Sequence, residues 1–205
     1  MWIKSFGGRK ILLASASPRR AELLTRAGVD FEVLRADYSD IETGAPDGAA
    51  PAEFALESAR SKLGRALESA AGRPGFAVVC ADTVVDADGL TLGKPADAAD
   101  ARRMLRALSG RAHKVHTGVA FAASDDPLRG SSFVDTTIVS FRALGDDLIA
   151  AYVETGEPFD KAGAYGIQER AALFVEKVEG LYSNVVGLPV SALFCALEKT
   201  FGVDV

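Results

Sequence analysis

The segment ILLASASPRRAELLTRAG, from Ile11 to Gly28, constrains the fold more than any other stretch of the chain. Its short apolar run, Ile11–Ala14, predicts a buried strand. Pro18 suits the first position of a helix, Ser17 suits the N-cap before it, and Gly28 suits the residue that ends the helix. The segment therefore predicts a strand, a tight turn and a helix.

Two arginines break the local rules of this predicted helix. Arg19 and Arg20 lie in its first turn, where the helix dipole disfavours cations by roughly 0.3–1 kcal/mol each. An anion bound at the helix start would resolve the conflict, because it would accept hydrogen bonds from free N–H groups and from Ser15 and Ser17. The turn therefore predicts either an anion site or, as the alternative, two solvated arginines on an ordinary helix.

The composition indicates a globular protein of one domain, or of two lobes that share a core, since 48% of the 205 residues are apolar. The net charge of −5 argues against a nucleic-acid binder that relies on a general basic surface. The sequence contains no apolar run of the ~20 residues that a membrane span needs, and its early apolar patch is short for a signal peptide. We therefore expect a cytoplasmic protein without nucleic-acid or membrane partners. Cys80 and Cys195 lack metal-type spacing and are expected to be buried thiols.

A carboxylate interrupts the most apolar strand of the sequence. Phe76–Val85 predicts a strand buried on both faces, yet Asp82 and Thr83 lie within it. A buried carboxylate is costly unless it is paired or binds a metal; the alternative is an aspartate that caps neighbouring backbone. The following Asp88-Gly89 predicts a hairpin turn, and its register places Lys94 opposite Thr83 and next to Asp82.

Other polar residues stand out against their surroundings. Lys62 lies on the apolar stripe of a helix predicted to begin at Pro51, so it either extends to the edge or meets an anion. The later loop Glu157–Glu169 carries Lys161, Gln168 and two glycines that allow backbone to approach a ligand. The two histidines, His113 and His116, are expected at the surface or at a strand edge rather than on a metal.

These motifs, taken in order, resemble the Maf family of nucleoside triphosphate pyrophosphatases over nearly the whole chain. The matching segments are SASPRR (15–20), Lys62, ADTVV (81–85), GKP (93–95), LSG (108–110), HTGVAF (116–121), DKAGAYGIQ (160–168) and NVVGLP (184–189). One such motif is weak, whereas eight in register are specific. The resemblance implies an α/β fold with an extended, twisted, mixed β-sheet flanked by helices. It also implies a single Maf-like domain over residues 1–205, with two lobes around a central cleft.

The resemblance further implies hydrolysis of a nucleoside triphosphate to the monophosphate and pyrophosphate, with Mg²⁺ or Mn²⁺ as cofactor and a homodimer as the assembly. The full AYGIQ loop together with ADT looks like the subgroup that acts on dTTP and UTP; CTP and modified pyrimidine nucleotides are left open. The roles carried over by motif are proton acceptance by Asp82, phosphate binding by Ser15, Arg19, Lys62 and Lys94, and base selection by Arg19, Thr83 and Gln168. We add Ser17 and Lys161 to the predicted substrate-binding residues.

The metal shell departs from the family pattern. The family places a glutamate shortly after the second strand, where this chain reads ADYSDIETG. Position favours Asp40 and residue type favours Glu42, so the predicted metal ligands are Asp82 together with Asp40 or Glu42. The rival functions are a nucleotide-binding regulator of cell division without enzymatic activity, and a pyrophosphatase for other bases, including 7-methyl-GTP and inosine-type purines. A P-loop enzyme is disfavoured, because the first turn lacks G-x-x-x-x-G-K-[ST].

Overall fold

The computed structural model describes residues 2–38, 41, 45 and 48–205. Its strands are β1 (Lys10–Leu13), β2 (Phe31–Val33), β3 (Phe76–Ala87), β4 (Leu90–Leu92), β5 (Ala112–Ala123), β6 (Gly130–Phe141) and β7 (Val175–Glu179). Its helices are α1 (Pro18–Arg26), α2 (Pro51–Ser69), α3 (Ala98–Leu108), α4 (Asp146–Glu154), α5 (Tyr182–Val186) and α6 (Val190–Phe201). Three short 3-10 segments, Glu157–Asp160, Ala162–Ala164 and Arg170–Phe174, connect α4 to β7.

The described strands form one mixed sheet of seven strands in the order β2-β1-β3-β5-β6-β7, with β4 paired to β3. The strand β1 is parallel to both β2 and β3, whereas the remaining pairs are antiparallel. Helices lie on both faces of this sheet, so the predicted α/β fold with a mixed sheet flanked by helices is confirmed.

One edge of β3 is paired only at its two ends. Residues 77–86 of β3 pair with β5 along one edge. Along the other edge, residues 76–79 pair with β1 and residues 85–87 pair with β4. The stretch 80–84 between them has no partner on that side among the described strands, and it contains Asp82 and Thr83. The sheet therefore opens beside the carboxylate, at the point where β1 ends and its chain turns into α1.

The first strand and helix form as the sequence predicts. Gly28 has a φ of +69°, and the N–H groups of Gly28 and Val29 donate to the carbonyls of Thr25 and Leu24. These two bonds end α1 with a left-handed glycine cap. The apolar residues of β1 alternate between the two faces of the sheet, Ile11 and Leu13 toward α1 and α6 and Leu12 toward α2.

A glycine in β5 sets how closely α2 packs on the sheet. Gly118 pairs with Asp82 across the β3–β5 ladder. A Cβ at Gly118 would lie 2.2 Å from the carbonyl oxygen of Ala55 and 2.6 Å from the amide nitrogen of Leu56. The helix backbone therefore rests directly on the strand, and this contact holds α2 over Asp82.

The expected positions of both histidines and of Cys195 are wrong. His113 and His116 are buried in the sheet rather than at its surface. The imidazole of His113 bonds the Tyr165 hydroxyl through Nε2 at 2.9 Å, and burial lowers its pKa to about 4. His116 lies 3.2 Å from Asp86 through Nε2, so each ring has a polar partner that the spacing alone did not reveal. Cys80 is buried as expected, but Cys195 lies on the exposed side of α6.

The described residues contain no helix that is long and apolar enough to cross a membrane.

Candidate active site

The turn between β1 and α1 is organised around the side chain of Ser15. Its Oγ accepts a hydrogen bond from the backbone N–H of Ser17 at 3.2 Å, and Ser15 itself is buried. Ser17 occupies the predicted N-cap position with extended backbone, but its side chain makes no capping hydrogen bond within the described chain. The serine that orders the turn is therefore Ser15, and the first-turn N–H groups of α1 have no side-chain cap.

The two arginines of the first turn have different partners. Arg20 donates from Nε to the Gly187 carbonyl at 2.7 Å, from Nη1 to Ser15 Oγ at 3.1 Å and from Nη2 to Thr83 Oγ1 at 3.2 Å. Arg19 pairs through Nη1 with Asp160 Oδ2 at 2.9 Å. Oxygen atoms from distant segments therefore compensate both cations at the helix start, which contradicts the alternative of two solvated arginines.

The buried carboxylate of β3 is paired with the lysine of α2. Lys62 Nζ lies 2.7 Å from Asp82 Oδ1, and the two side chains are 6% and 18% exposed. The ammonium also lies 6.0 Å from the centre of the Tyr38 ring. Of the two predictions for Lys62, the meeting with an anion is confirmed, and the anion within the protein is Asp82. The alternative of Asp82 as a backbone cap is not what the structure shows.

The hairpin after β3 brings a second lysine to the same pocket by a route that differs from the prediction. Val85 pairs with Leu92 and Ala87 with Leu90, so the predicted register is confirmed. The strand β4 ends at Leu92, however, so no ladder pair among the described strands places Lys94 opposite Thr83. Lys94 lies in the exposed loop beyond β4 and lines the pocket from there.

The loop after α4 supplies the opposite wall. Lys161 is buried, and its Nζ contacts the carbonyl of Glu157 at 2.7 Å, Asp160 Oδ1 at 2.7 Å and Glu169 Oε2 at 3.0 Å. Burial raises the pKa of Asp160, but hydrogen bonds from Lys161 and Arg19 outweigh it and hold that pKa below its usual range. Lys161 therefore braces its own loop, the loop that places Gln168 on the pocket wall.

These groups surround one pocket of about 600 Å³. Its lining includes every predicted site residue that the structure describes, namely Ser15, Ser17, Arg19, Lys62, Asp82, Thr83, Lys94, Lys161 and Gln168. The predicted metal ligands Asp40 and Glu42 lie outside the described residues. The pocket thus gathers cations from four separate segments of the described chain around the carboxylate of Asp82.

The described residues contain no group of three or more histidine, cysteine, aspartate or glutamate side chains placed to hold a metal ion. Asp82 nevertheless suits a hard cation, since its carboxylate is partly accessible and, within the described chain, only Oδ1 receives a hydrogen bond. Magnesium is commonly held by one or two carboxylates together with substrate phosphates.

Sequence reasoning noted Arg20 but did not assign it to the site. The signal was present, because both arginines break the same dipole rule. Nothing in the sequence distinguished the inward arginine from the one at the rim, since the choice depends on the carbonyl of Gly187, 167 positions along the chain.

A family model described as Maf-like protein matches residues 10–200 of the chain. The chain belongs to the Maf family. A relative from Thermococcus gammatolerans named dTTP/UTP pyrophosphatase is 47% identical over 193 residues, which are 94% of this chain and 98% of the relative. A relative of the same name from Geobacter sulfurreducens is 51% identical over 182 residues, 88% of this chain and 91% of the relative. A solved structure titled HAM1 protein from Coxiella burnetii aligns over 93% of this chain and 99% of its own, with a TM-score of 0.45 and 17% identity.

Proposed function

We propose that this Maf protein hydrolyses dTTP and UTP to the monophosphate and pyrophosphate. The observation that carries the proposal is the Lys62–Asp82 pair at 2.7 Å, in a pocket lined by further cations and by the start of α1. Relatives that cover nearly the whole chain and are named dTTP/UTP pyrophosphatase support the substrate class.

The triphosphate is bound by charge and by backbone amides. Arg19 and Lys94 lie at the accessible part of the pocket, and the uncapped first turn of α1 offers N–H groups to phosphate oxygens. Arg20 orients Ser15 within that turn, so the two act as one unit in phosphate binding. Lys161, predicted to bind substrate, contributes through its loop, because its ammonium already has three oxygen partners.

The reaction is an attack of water on the α-phosphorus. Lys62 fixes Asp82 through Oδ1, which leaves Oδ2 to accept a proton from the attacking water. The new P–O bond forms as the bond to the α–β bridging oxygen breaks, and that oxygen leaves with pyrophosphate. Arg19 and Lys94 stabilise the negative charge that develops on the leaving group.

A divalent metal, Mg²⁺ or Mn²⁺, is part of the proposal. Asp82 would hold it together with Asp40 or Glu42, the remaining ligands coming from phosphate oxygens. When bound, it would neutralise phosphate charge and acidify a coordinated water.

The test is pyrophosphate release from a panel of common and modified nucleoside triphosphates, with and without each metal. We expect the greatest release from dTTP and UTP, only with metal, and a loss of at least about 10²-fold in Asp82→Asn. Asp126→Asn, which changes an exposed aspartate in a loop, is the matched control and should retain full activity. Near-normal turnover in Asp82→Asn refutes the assigned role.

The same panel separates the rival functions. A regulator of cell division would bind nucleotide and release no pyrophosphate, and an inosine-type or 7-methyl-GTP enzyme would show its own base preference. We also propose a cytoplasmic homodimer, which rests on the family resemblance and is tested by light scattering and cell fractionation.

A further inference from the structure

A continuous chain of side-chain hydrogen bonds leads from the phosphate-binding turn into the core. Arg20 Nη2 lies 3.2 Å from Thr83 Oγ1, Thr83 Oγ1 lies 2.9 Å from Thr117 Oγ1, and Thr117 Oγ1 lies 3.0 Å from the carbonyl oxygen of Asn184. Thr117 and Asn184 are completely buried, and Thr83 lines the pocket. The chain therefore links a pocket-lining hydroxyl to two groups that never meet solvent.

The direction of this chain is fixed by its far end. A carbonyl oxygen only accepts, so Thr117 must donate its one proton to Asn184. Thr117 can then only accept from Thr83, and the proton between the two hydroxyls belongs to Thr83. The other acceptor within reach of Thr83, the Gly187 carbonyl, is more distant at 3.5 Å. If Thr83 donated its proton to the Gly187 carbonyl instead, no proton would lie between the two oxygen atoms of one shorter contact, either Thr83–Thr117 or Thr117–Asn184.

The carbonyl that fixes the direction is itself held firmly. Asn184 Nδ2 donates to the carbonyl of Val115 at 2.9 Å and to Thr137 Oγ1 at 3.0 Å, which ties α5 to two strands of the sheet. Because Thr117 has no exposed surface, water does not compete for its hydroxyl. The orientation of the Thr83 proton is therefore a property of the fold.

A hydroxyl has one proton and two acceptor lone pairs. At Thr83 the proton goes to Thr117 and one lone pair accepts from Arg20, so a single acceptor position remains for a ligand. We propose that Thr117 is a positioning residue for base selection. By taking the proton of Thr83, it makes that hydroxyl an obligatory acceptor for the N3–H group of uracil or thymine.

The chemistry of the pyrimidines explains the selection. Uracil and thymine carry a proton on N3, whereas cytosine presents a lone pair there. A hydroxyl that can only accept therefore forms a hydrogen bond with N3–H of uracil or thymine. With cytosine, the hydroxyl oxygen and the N3 nitrogen face each other with no proton between them. A polar group left unpaired in this way lowers affinity by about tenfold or more.

The inference rests on the proposed pyrimidine specificity, so its test measures binding separately from hydrolysis. Calorimetric titration with the α,β-methylene analogues of UTP and CTP, in the presence of Mg²⁺, gives the ratio of the two dissociation constants. Thr117→Val removes the acceptor and frees Thr83 to donate its proton to cytosine N3. We expect the preference for the uracil analogue to fall by about tenfold or more in this variant. Thr117→Ser, which keeps the hydroxyl, should preserve the ratio.

Thr200→Val is the control, because it removes a partly buried hydroxyl on α6 that bonds the Ala196 carbonyl and lies outside the chain from Arg20 to Asn184. It should lower stability and leave the ratio unchanged. Thr117→Ala replaces Thr117→Val if the valine variant fails to fold. An unchanged ratio in the Thr117 variant, an equal fall in Thr200→Val, or a wild-type protein without preference for uracil overturns the inference. Selective binding without pyrophosphate release contradicts only the proposed function, whereas release without the Thr117 effect contradicts only the inference.

Discussion

The contact between Gly118 and α2 permits a quantitative prediction for Gly118→Ala. The new Cβ would lie 2.2 Å from the carbonyl oxygen and 2.4 Å from the carbonyl carbon of Ala55, both of which are helix backbone. An ordinary contact begins near 3.4 Å, and close-packed interiors leave little free space, so α2 or β5 must retreat by about 1 Å. No side-chain rotation relieves the clash, because both partners are main chain.

The displacement acts on stability and on catalysis together. Overpacking of this kind costs about 1–3 kcal/mol of the free energy of unfolding. The helix that moves carries Lys62, whose ammonium is fixed to Asp82 at 2.7 Å. A shift of about 1 Å at a catalytic group lowers turnover by as much as about 10²-fold. We therefore expect Gly118→Ala to be less stable than wild type by about 2 kcal/mol and to lose at least about tenfold in kcat.

The assay is urea unfolding together with steady-state pyrophosphate release. Gly64→Ala is the matched control, since Gly64 lies in the same helix with no atom within 4 Å of an added Cβ. That change should stabilise the protein by up to about 1 kcal/mol through helix propensity and leave turnover unchanged. If Gly118→Ala equalled wild type in stability and turnover, α2 would not rest on β5 as described and the reasoning would fail.

Two further substitutions test other parts of the structure. Arg20→Lys should lower kcat/KM for UTP by about tenfold or more, because an ammonium cannot reproduce the three bonds of the guanidinium; Arg26→Lys, in the last turn of the same helix, should have no effect. Burial holds the pKa of His113 at about 4, against 6.5 for the unfolded residue, so only the unfolded chain takes up this proton as the pH falls below about 6.5. The free energy of unfolding therefore falls by about 2 kcal/mol between pH 7.5 and pH 5 because of this residue. Glutamine does not titrate, so the fall in the free energy of unfolding of His113→Gln, measured by urea unfolding at the two pH values, should be smaller by that amount.

Local patterns predicted the elements whose causes are local. The strand, turn and helix around Pro18, the hairpin at Asp88-Gly89 and the helix that begins at Pro51 all follow from short-range signals, and the structure has them at or near the predicted residues. The strand β7 and the short helix α5 were not predicted. The residues of β7 are all intermediate or exposed and lie at an edge of the sheet, so they give a weak apolar signal.

The site was predictable as a set of residues and not as a set of contacts. Asp82 and Lys62 stood out because each is a charge on an apolar element, and the structure pairs them. The inward position of Arg20 and the bracing contacts of Lys161 could not be predicted in the same way, since their oxygen partners are brought close by folding. The prediction for the histidines failed for a related reason, because the spacing of His113 and His116 carries no information about Tyr165, a buried partner on another segment.

Residues 80–84 of β3, which pair with β5 alone among the described strands, divide the site into a part fixed on the sheet and a part free to move. Ten successive residue pairs with β5 hold one edge of β3, so the carboxylate to which we assign proton acceptance stands on a strand that is paired along that whole edge. The other walls of the pocket are α2 and several loops, including the one that carries Gln168, and none of them shares a ladder with residues 80–84. We therefore expect substrate entry and product release to move the loops, while Asp82 keeps its place on the sheet.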